Sequence, residues 1–280
     1  MNYNSAINYG SKVLKKKLIK TANIDSEIIL SETVNLSREK ILLKLDNILS
    51  PQQFTYFKKL INRRKKKEPI AYILKKKEFW KKSFVINPHV LIPRPDTEII
   101  VEQIFKYLPL NSAKSILEIG TGSGCIILSI LAERKNCYAK ALDISKKALK
   151  VAEYNAKIQH LGNRIEFIYS GIDKFYTGKY DIIISNPPYI KSASIKNLDE
   201  DVRFYEPRIA LDGGYDGYSR LREIIKRSSY LLKNGGKLFL EIGHKQIYEV
   251  KKLLKKNHFY VNKIAKDLNK INRCIVSTKI

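Results

Sequence analysis

After Lys114 the chain alternates short, uninterrupted apolar strands with helices, and this alternation restricts the fold more than any other feature of the sequence. The strand candidates are Ser115–Ile119, Tyr138–Ile144, Arg164–Tyr169, Asp181–Ser185 and Gly236–Ile242. Helices fit Cys125–Glu133, Lys146–Gln159, Tyr218–Leu232 and Gln246–Lys256. A strand with one wet face alternates apolar and polar residues, so a run such as Ile182–Ile184 needs cover on both faces. The pattern therefore predicts a parallel sheet wound on both sides by helices. Two further strands, near Phe259–Ala265 and Arg273–Thr278, are joined too tightly for a crossover and are expected to pair antiparallel.

The region before this alternation reads differently. From the start to Lys67, apolar positions recur every three or four residues, as in Ile24, Ile28 and Ile29, which predicts a small helical domain. Asp25 or Ser26 could cap the helix over Ile24–Val34, Ser37 opens a short one, and Ser50–Pro51 starts a third, since proline suits a first helical turn. From Pro69 to Pro95 the pattern turns toward strands at Ile70–Leu74, Glu78–Trp80 and Phe84–Ile86, a hairpin linking two domains. The two prolines of Leu91–Glu98 make a rigid connector that restarts a helix near Asp96–Thr97. The expected organisation is a helical domain over 1–67, a hairpin linker over 68–95 and an α/β domain over 96–280.

Bulk properties narrow the function classes less. The net charge of +26 would suit RNA, a ribosome or an acidic protein. The lysines are spread everywhere, Lys15–Lys17, Lys65–Lys67 and Lys75–Lys77 among them, which fits a lysine-rich composition better than a nucleic-acid patch. Cys125, Cys137 and Cys274 form no CxxC pair, and the four histidines have no metal-ligand spacing, so no metal site is expected. Met1–Tyr9 is polar and does not resemble a signal peptide, and no apolar stretch could cross a bilayer. A cytoplasmic location without a membrane association is expected.

Two loops carry chemistry. Glu118–Gly124, reading EIGTGSG, follows a strand and opens a helix. Its glycines at 120, 122 and 124 let the backbone turn sharply beside a ligand. A dinucleotide loop of the GxGxxG type would need glycine at position 125, where this chain has Cys125. Glu118 suits a cationic, phosphate-free ligand better than a pyrophosphate. Asp143 ends the next strand and could take both ribose hydroxyls of an adenosine; the alternative role is a helix cap ahead of Lys146. The second loop, Asn186–Pro187–Pro188–Tyr189, follows Asp181–Ser185. Its prolines fix the backbone and remove two N–H donors. The Asn186 side-chain carbonyl and the Pro187 backbone carbonyl could then accept both hydrogens of a planar NH2 group, favouring a pyramidal, nucleophilic nitrogen as it gains positive charge. Tyr189 would pack against the flat group.

With these residues in place, the chain closely resembles the release factor glutamine methyltransferases, the HemK/PrmC group. The motifs are EPIAYI at 68–73, EFW at 78–80, LIPRPDTE at 91–98, EIGTGSG at 118–124, DIS at 143–145, SNPPYI at 185–190, EPRIALDGGYDG at 206–217 and LEIGHKQ at 240–246. The resemblance implies a class I methyltransferase fold with a seven-stranded, mostly parallel, doubly wound sheet, preceded by a helical domain that docks the substrate. It implies S-adenosyl-L-methionine as cofactor and, as substrate, the glutamine of the GGQ motif in peptide chain release factors, methylated on its side-chain amide nitrogen, N5. Gly120, Thr121, Gly122, Ser123, Gly124, Asp143, Ile172 and Asn186 would hold the cofactor. Asn186, Pro187, Pro188 and Tyr189 would hold the glutamine, with Asn186, Pro187 and Tyr189 catalytic. Nucleic acid is not required on this reading, and a monomer is expected. One departure concerns the adenine: where the family often has an acid and an aromatic residue, this chain has Ser170–Gly171–Ile172, so Ile172 gives an apolar contact and the acid is missing. An N6-adenine methyltransferase shares the Asn-Pro-Pro-Tyr chemistry on a flipped base, but no insertion large enough for target recognition is present. A non-catalytic RNA-binding module would leave both loops without a purpose.

Overall fold

The computed structural model describes residues Met1–Ile280. The chain forms two compact units, one of Met1–Lys76 with Asp199–Tyr205, the other of Lys77–Leu198 with Glu206–Ile280.

The first unit is helical: α1 (Tyr3–Lys15), α2 (Ala22–Val34), α3 (Arg38–Leu42), α4 (Pro51–Lys65) and α5 (Ile70–Leu74). Its helix starts are written locally. At Ser50 the hydroxyl accepts from Gln53 N (3.2 Å) while Gln53 Oε1 accepts from Ser50 N (2.9 Å), a reciprocal cap followed by Pro51 in the first turn. Such a cap contributes on the order of 1 kcal/mol. Leu14, Ile29, Leu30, Phe57 and Ile61 are fully buried where α1, α2 and α4 meet. Each stabilises the unit by roughly 1.5–3 kcal/mol relative to exposure.

Two local expectations are corrected here. Neither Asp25 nor Ser26 caps α2. Asp25 is instead buried and receives Arg64 Nε at 2.7 Å, and Ser26 Oγ donates to the Ile7 carbonyl at 2.9 Å. Both sit inside the helix, where packing against α4 and α1 decides their partners. Ile70–Leu74 is a helix and not a strand. A run of five apolar residues fits either element, and the burial of Tyr72 and Ile73 within this unit selects the helix. A segment far along the chain, α9 (Glu200–Tyr205), also folds into this unit. The Tyr205 hydroxyl donates to the Lys66 carbonyl at 2.7 Å, and Asp201 approaches Arg64 at 3.9 Å.

The second unit opens with the hairpin β1 (Lys76–Phe79) and β2 (Lys82–Val85), then α6 (Glu98–Tyr107). There follow β3 (Ser115–Ile119), α7 (Cys125–Glu133), β4 (Tyr138–Asp143), α8 (Lys146–Ile158), β5 (Ile165–Tyr169) and β6 (Tyr180–Ser185). It closes with α10 (Ser219–Leu231), β7 (Leu232–Glu241), α11 (Ile247–Lys256), β8 (Phe259–Lys266) and β9 (Asn272–Lys279). The hairpin is part of the α/β unit: Phe79 and Phe84 are buried in its core, and the Asn155 amide pairs with both backbone groups of Val85.

The sheet has seven strands in the order β5-β4-β3-β6-β7-β9-β8. The first five are parallel, and β9 pairs antiparallel with both β7 and β8. Period-two alternation explains the apolar runs. Ile182 and Ile184 enter the core on one face of the sheet, Ile183 the core on the other. β7 begins four residues earlier than its apolar stretch suggests (232 against 236), because Lys233–Gly235 is exposed and carries no hydrophobic signal. The strand order reverses between β3 and β6, whose ends lie side by side with Ile119 opposite Ser185. In open α/β sheets the ligand crevice lies at the carboxyl ends of the strands at this reversal. Both chemically informative loops start there.

Candidate active site

A cavity of about 170 Å³ lies at that reversal point. Gly120–Ser123 line it from the end of β3, Asp143–Ser145 from β4, Ser170–Asp173 from β5, and Asn186–Pro188 from β6. Leu91, Pro93, Arg94 and Thr97 close it from the connector before α6.

The loop after β3 is shaped by backbone geometry. Gly120 and Gly122 have φ of +74° and +56°, and a Cβ on either would meet nothing within 4 Å. Space is open there; the left-handed backbone is what excludes other residues. Gly120 N and Thr121 N donate to the Leu142 carbonyl (2.9 and 3.0 Å), tying the loop to β4. Gly124 has positive φ and stands at the start of α7.

Asp143 lines the cavity, with its Oδ2 accepting from Gly122 N and its Oδ1 from Ser145 N, each at 2.9 Å. Burial raises its pKa, and these backbone donors oppose the rise. The helix cap belongs to Ser145, whose hydroxyl accepts from Ala148 N at 3.2 Å. Glu118 differs from its expected part: it is 1% exposed, lies outside the cavity lining and receives the Thr121 hydroxyl. Burial drives its pKa up to about 8, and its place is that of a prop beneath the loop, away from the cavity.

The loop after β6 is held by distant partners. Asn186 Nδ2 donates to Thr97 Oγ1 at 3.3 Å, and no protein donor engages Asn186 Oδ1 or the Pro187 carbonyl. Both acceptors belong to residues lining the cavity, as does Pro188. Tyr189 does not line it. Its ring packs with the buried cluster beneath, and its hydroxyl donates to Glu241 Oε1 at 3.3 Å. Tyr189 thus anchors the loop from below.

Ile172 is buried and lines the cavity, as does Asp173 beside it. A Cβ built on Gly171 would stand 2.3 Å from Asp173 Oδ1. The Asp173 carboxylate, in a short 3-10 turn (Ile172–Lys174), therefore occupies the space that a side chain at position 171 would take. Sequence reasoning missed Asp173, Arg94 and Thr97. The glycine at 171 and the acid two residues later were the only local sign of the first. Arg94 pairs with Glu206, which also accepts from Ile92 N at 3.2 Å, so the connector is fixed by a buried carboxylate 112 residues away in the chain.

Topology, glycine loop and strand-end acid together define a class I methyltransferase fold. A methyltransferase from Pyrococcus furiosus superimposes with a TM-score of 0.53 over 70% of this chain and 88% of its own, at 21% identity, a likeness of fold. Residues 5–74 match the family described as PrmC N-terminal domain, and residues 96–201 the family described as methyltransferase small domain. A release factor glutamine methyltransferase from Buchnera aphidicola subsp. Schizaphis graminum is 40% identical over 93% of this chain and 94% of its own length. A bifunctional methyltransferase from Rickettsia felis is 36% identical over 96% of this chain, which spans 56% of that longer protein. The chain belongs to the release factor glutamine methyltransferase family.

Proposed function

We propose that this protein methylates the side-chain amide nitrogen, N5, of the glutamine in the GGQ loop of peptide chain release factors, with S-adenosyl-L-methionine as donor. The observation that carries the proposal is that Asn186 and Pro187, whose Oδ1 and carbonyl oxygen accept no hydrogen bond from the protein, line the same cavity as Asp143 and the glycine loop. An acceptor-lined edge beside an adenosyl pocket has little use for an alcohol or thiol substrate, which offers one hydrogen at most.

The pocket suits the cofactor on three counts. Asp143 offers carboxylate oxygens for ribose hydroxyls, Asp173 offers an acceptor for an exocyclic amine, and Ile144 and Ile172 offer apolar surface for a flat ring. Gly120 and Gly122 leave their side open for a ligand to approach the backbone. Bound there, S-adenosyl-L-methionine supplies an electrophilic methyl group. Asn186 and Pro187 grip both amide hydrogens, and one of these protons passes to solvent once the nitrogen carries the methyl group. The grip turns the nitrogen lone pair out of conjugation and stabilises positive charge as it develops on nitrogen. The fixed direction of the Asn186 amide, with Nδ2 committed to Thr97, presents Oδ1 as an acceptor before substrate arrives.

The helical unit would dock the factor, and a cytoplasmic enzyme acting as a monomer is the arrangement this substrate calls for. No helix is long and apolar enough to cross a membrane. Incubation with S-adenosyl-L-methionine and purified release factor, followed by peptide mass mapping, tests the proposal. A gain of one methylene confined to the GGQ peptide is expected. A gain on another peptide, or on nucleic acid and not on the factor, would overturn it.

A further inference from the structure

The stretch Glu206–Gly217 carries a motif that the chemistry above leaves unused, and it builds a second, open hollow against the cavity. Ser192, Arg208, Ile209, Asp212, Ser219 and Arg220 line this hollow, and Ile209 and Arg220 line the cavity as well. The two spaces therefore share a wall. The acceptor loop leads from one to the other, for Pro188 lines the cavity and, a few residues later, Ser192 lines the hollow.

The floor of the hollow is fixed in advance. Ile190 N donates to the Leu211 carbonyl (3.1 Å), Gly213 N to the Ile190 carbonyl (2.8 Å) and Ser192 N to the Gly214 carbonyl (3.0 Å), so residues 211–214 run bonded along the loop. The approach is close: a Cβ on Gly213 would stand 2.9 Å from the Pro188 carbonyl oxygen. Asp212 is the acid of the lining, and both its oxygens are occupied. Oδ1 accepts from the Ser192 hydroxyl (2.5 Å) and Gly214 N (3.0 Å), and Oδ2 accepts from Arg208 Nε (3.3 Å). The guanidinium groups are not fully engaged. Arg208, its side chain 72% exposed, bonds Asp212 through Nε alone, and Arg220 gives one terminal nitrogen to Glu223 at 2.9 Å. What remains free around the hollow is a set of guanidinium N–H groups, which donate and cannot accept.

We propose that this hollow holds the main chain of the substrate beside the target glutamine, with its carbonyl oxygens on Arg208 and Arg220. The inference rests on the glutamine reading and adds a second point of attachment to it. A glutamine preceded by two glycines offers no side chain on that side, so recognition there falls to main-chain carbonyls, and these match a rim of donors. An extended chain advances about 3.3 Å per residue, so the residues next to a glutamine held at Asn186 and Pro187 reach a space that shares the cavity wall. Ile209, 52% exposed, gives apolar surface for glycine Cα atoms between the two spaces.

Steady-state kinetics of the full chain with purified release factor test this. Arg208→Ala should raise KM for the factor roughly three- to tenfold, the loss of about one hydrogen bond, with kcat changed by less than about twofold. The cofactor Kd should not change, since Arg208 does not line the cavity. Arg208→Lys, which keeps the charge and loses the planar fork of donors, should remain impaired. Lys157→Ala, on α8 and outside both spaces, removes the same charge and should leave KM as it is. An unchanged KM in Arg208→Ala, full recovery in Arg208→Lys, or an equal rise in Lys157→Ala overturns the inference while methylation of the glutamine still stands. A fall in cofactor affinity and melting temperature that matches the rise in KM would mark Arg208 as a brace for Asp212 and sink it as well. Wild-type protein that leaves the glutamine unmethylated would remove the glutamine reading itself, and the hollow's role with it.

Discussion

The two loops at the centre of the sheet begin side by side, after β3 and after β6, yet they are built by opposite means. The first is a backbone device. Glycines with positive φ shape it, bonds to the neighbouring strand tie it down, and the space over Gly120 and Gly122 is open. The second is a side-chain device. Two prolines stiffen it, and its direction is set by Thr97, Glu241 and Gln246, the last of which donates to the Tyr189 carbonyl at 3.3 Å. A loop defined by backbone can accept any ligand of suitable shape, so it marks a broad class. A loop defined by placed acceptors selects a chemistry. Binding should therefore fail when the first is damaged, and turnover when the second is.

Substitutions can break that division, beginning with the largest effect. Asn186→Ala should lower kcat about a hundredfold or more, the scale of losing one preorganised charge-stabilising group, while the cofactor Kd by calorimetry stays within a factor of two or so. A parallel loss of binding would mean the second loop is also a cofactor device. Asp143→Ala should weaken cofactor binding roughly tenfold or more, because charge-assisted bonds to ribose are lost. Because Asp143 also holds Gly122 N, the variant Asp143→Asn, which keeps an acceptor, should lose less. Asp173→Ala should cost about three- to tenfold in cofactor affinity. No change would show that the carboxylate merely fills the space at Gly171.

The smallest effect concerns stability. Glu118 has its pKa raised to about 8 by burial, against 4.5 ordinarily. Below pH 4.5 it is protonated in both the folded and unfolded chains and contributes nothing to the pH dependence. Between 4.5 and 8 the unfolded chain releases a proton that the folded chain keeps, so stability falls as pH rises. Glu118→Gln should flatten that decline, leaving the variant at pH 8 less destabilised relative to pH 5 than the wild type by at least about 2 °C in Tm. A decline of the same slope in both would show that Glu118 is ionised in the folded protein.

This contrast also explains what the sequence disclosed. The strands of the sheet could be read closely because apolar runs with period-two burial on both faces leave a clear trace, as in Ile182–Ile184. That the glycine loop, Asp143 and Asn186 would come together was legible as well, because each sits at the carboxyl end of a readable strand. Thr97 was not, because its meaning lies in Asn186, 89 residues away. Glu241 was hidden in the same way, 52 residues from Tyr189. Asp173 was hidden for another reason, since only the turn brings its carboxylate into the space beside Gly171 and the cavity. In the helical unit, Ile70–Leu74 failed as a strand because a five-residue apolar run takes its conformation from what buries it. The joining of α9 to that unit rests on contacts such as Tyr205 to Lys66, 139 residues apart, with no local signal.

The most direct test of the central claim is a structure with a glutamine-containing GGQ peptide and S-adenosylhomocysteine, the demethylated cofactor, both bound. The account predicts the glutamine amide nitrogen within about 3 Å of both Asn186 Oδ1 and the Pro187 carbonyl. A glutamine amide bound elsewhere, or presenting its oxygen and not its nitrogen to these acceptors, would contradict it.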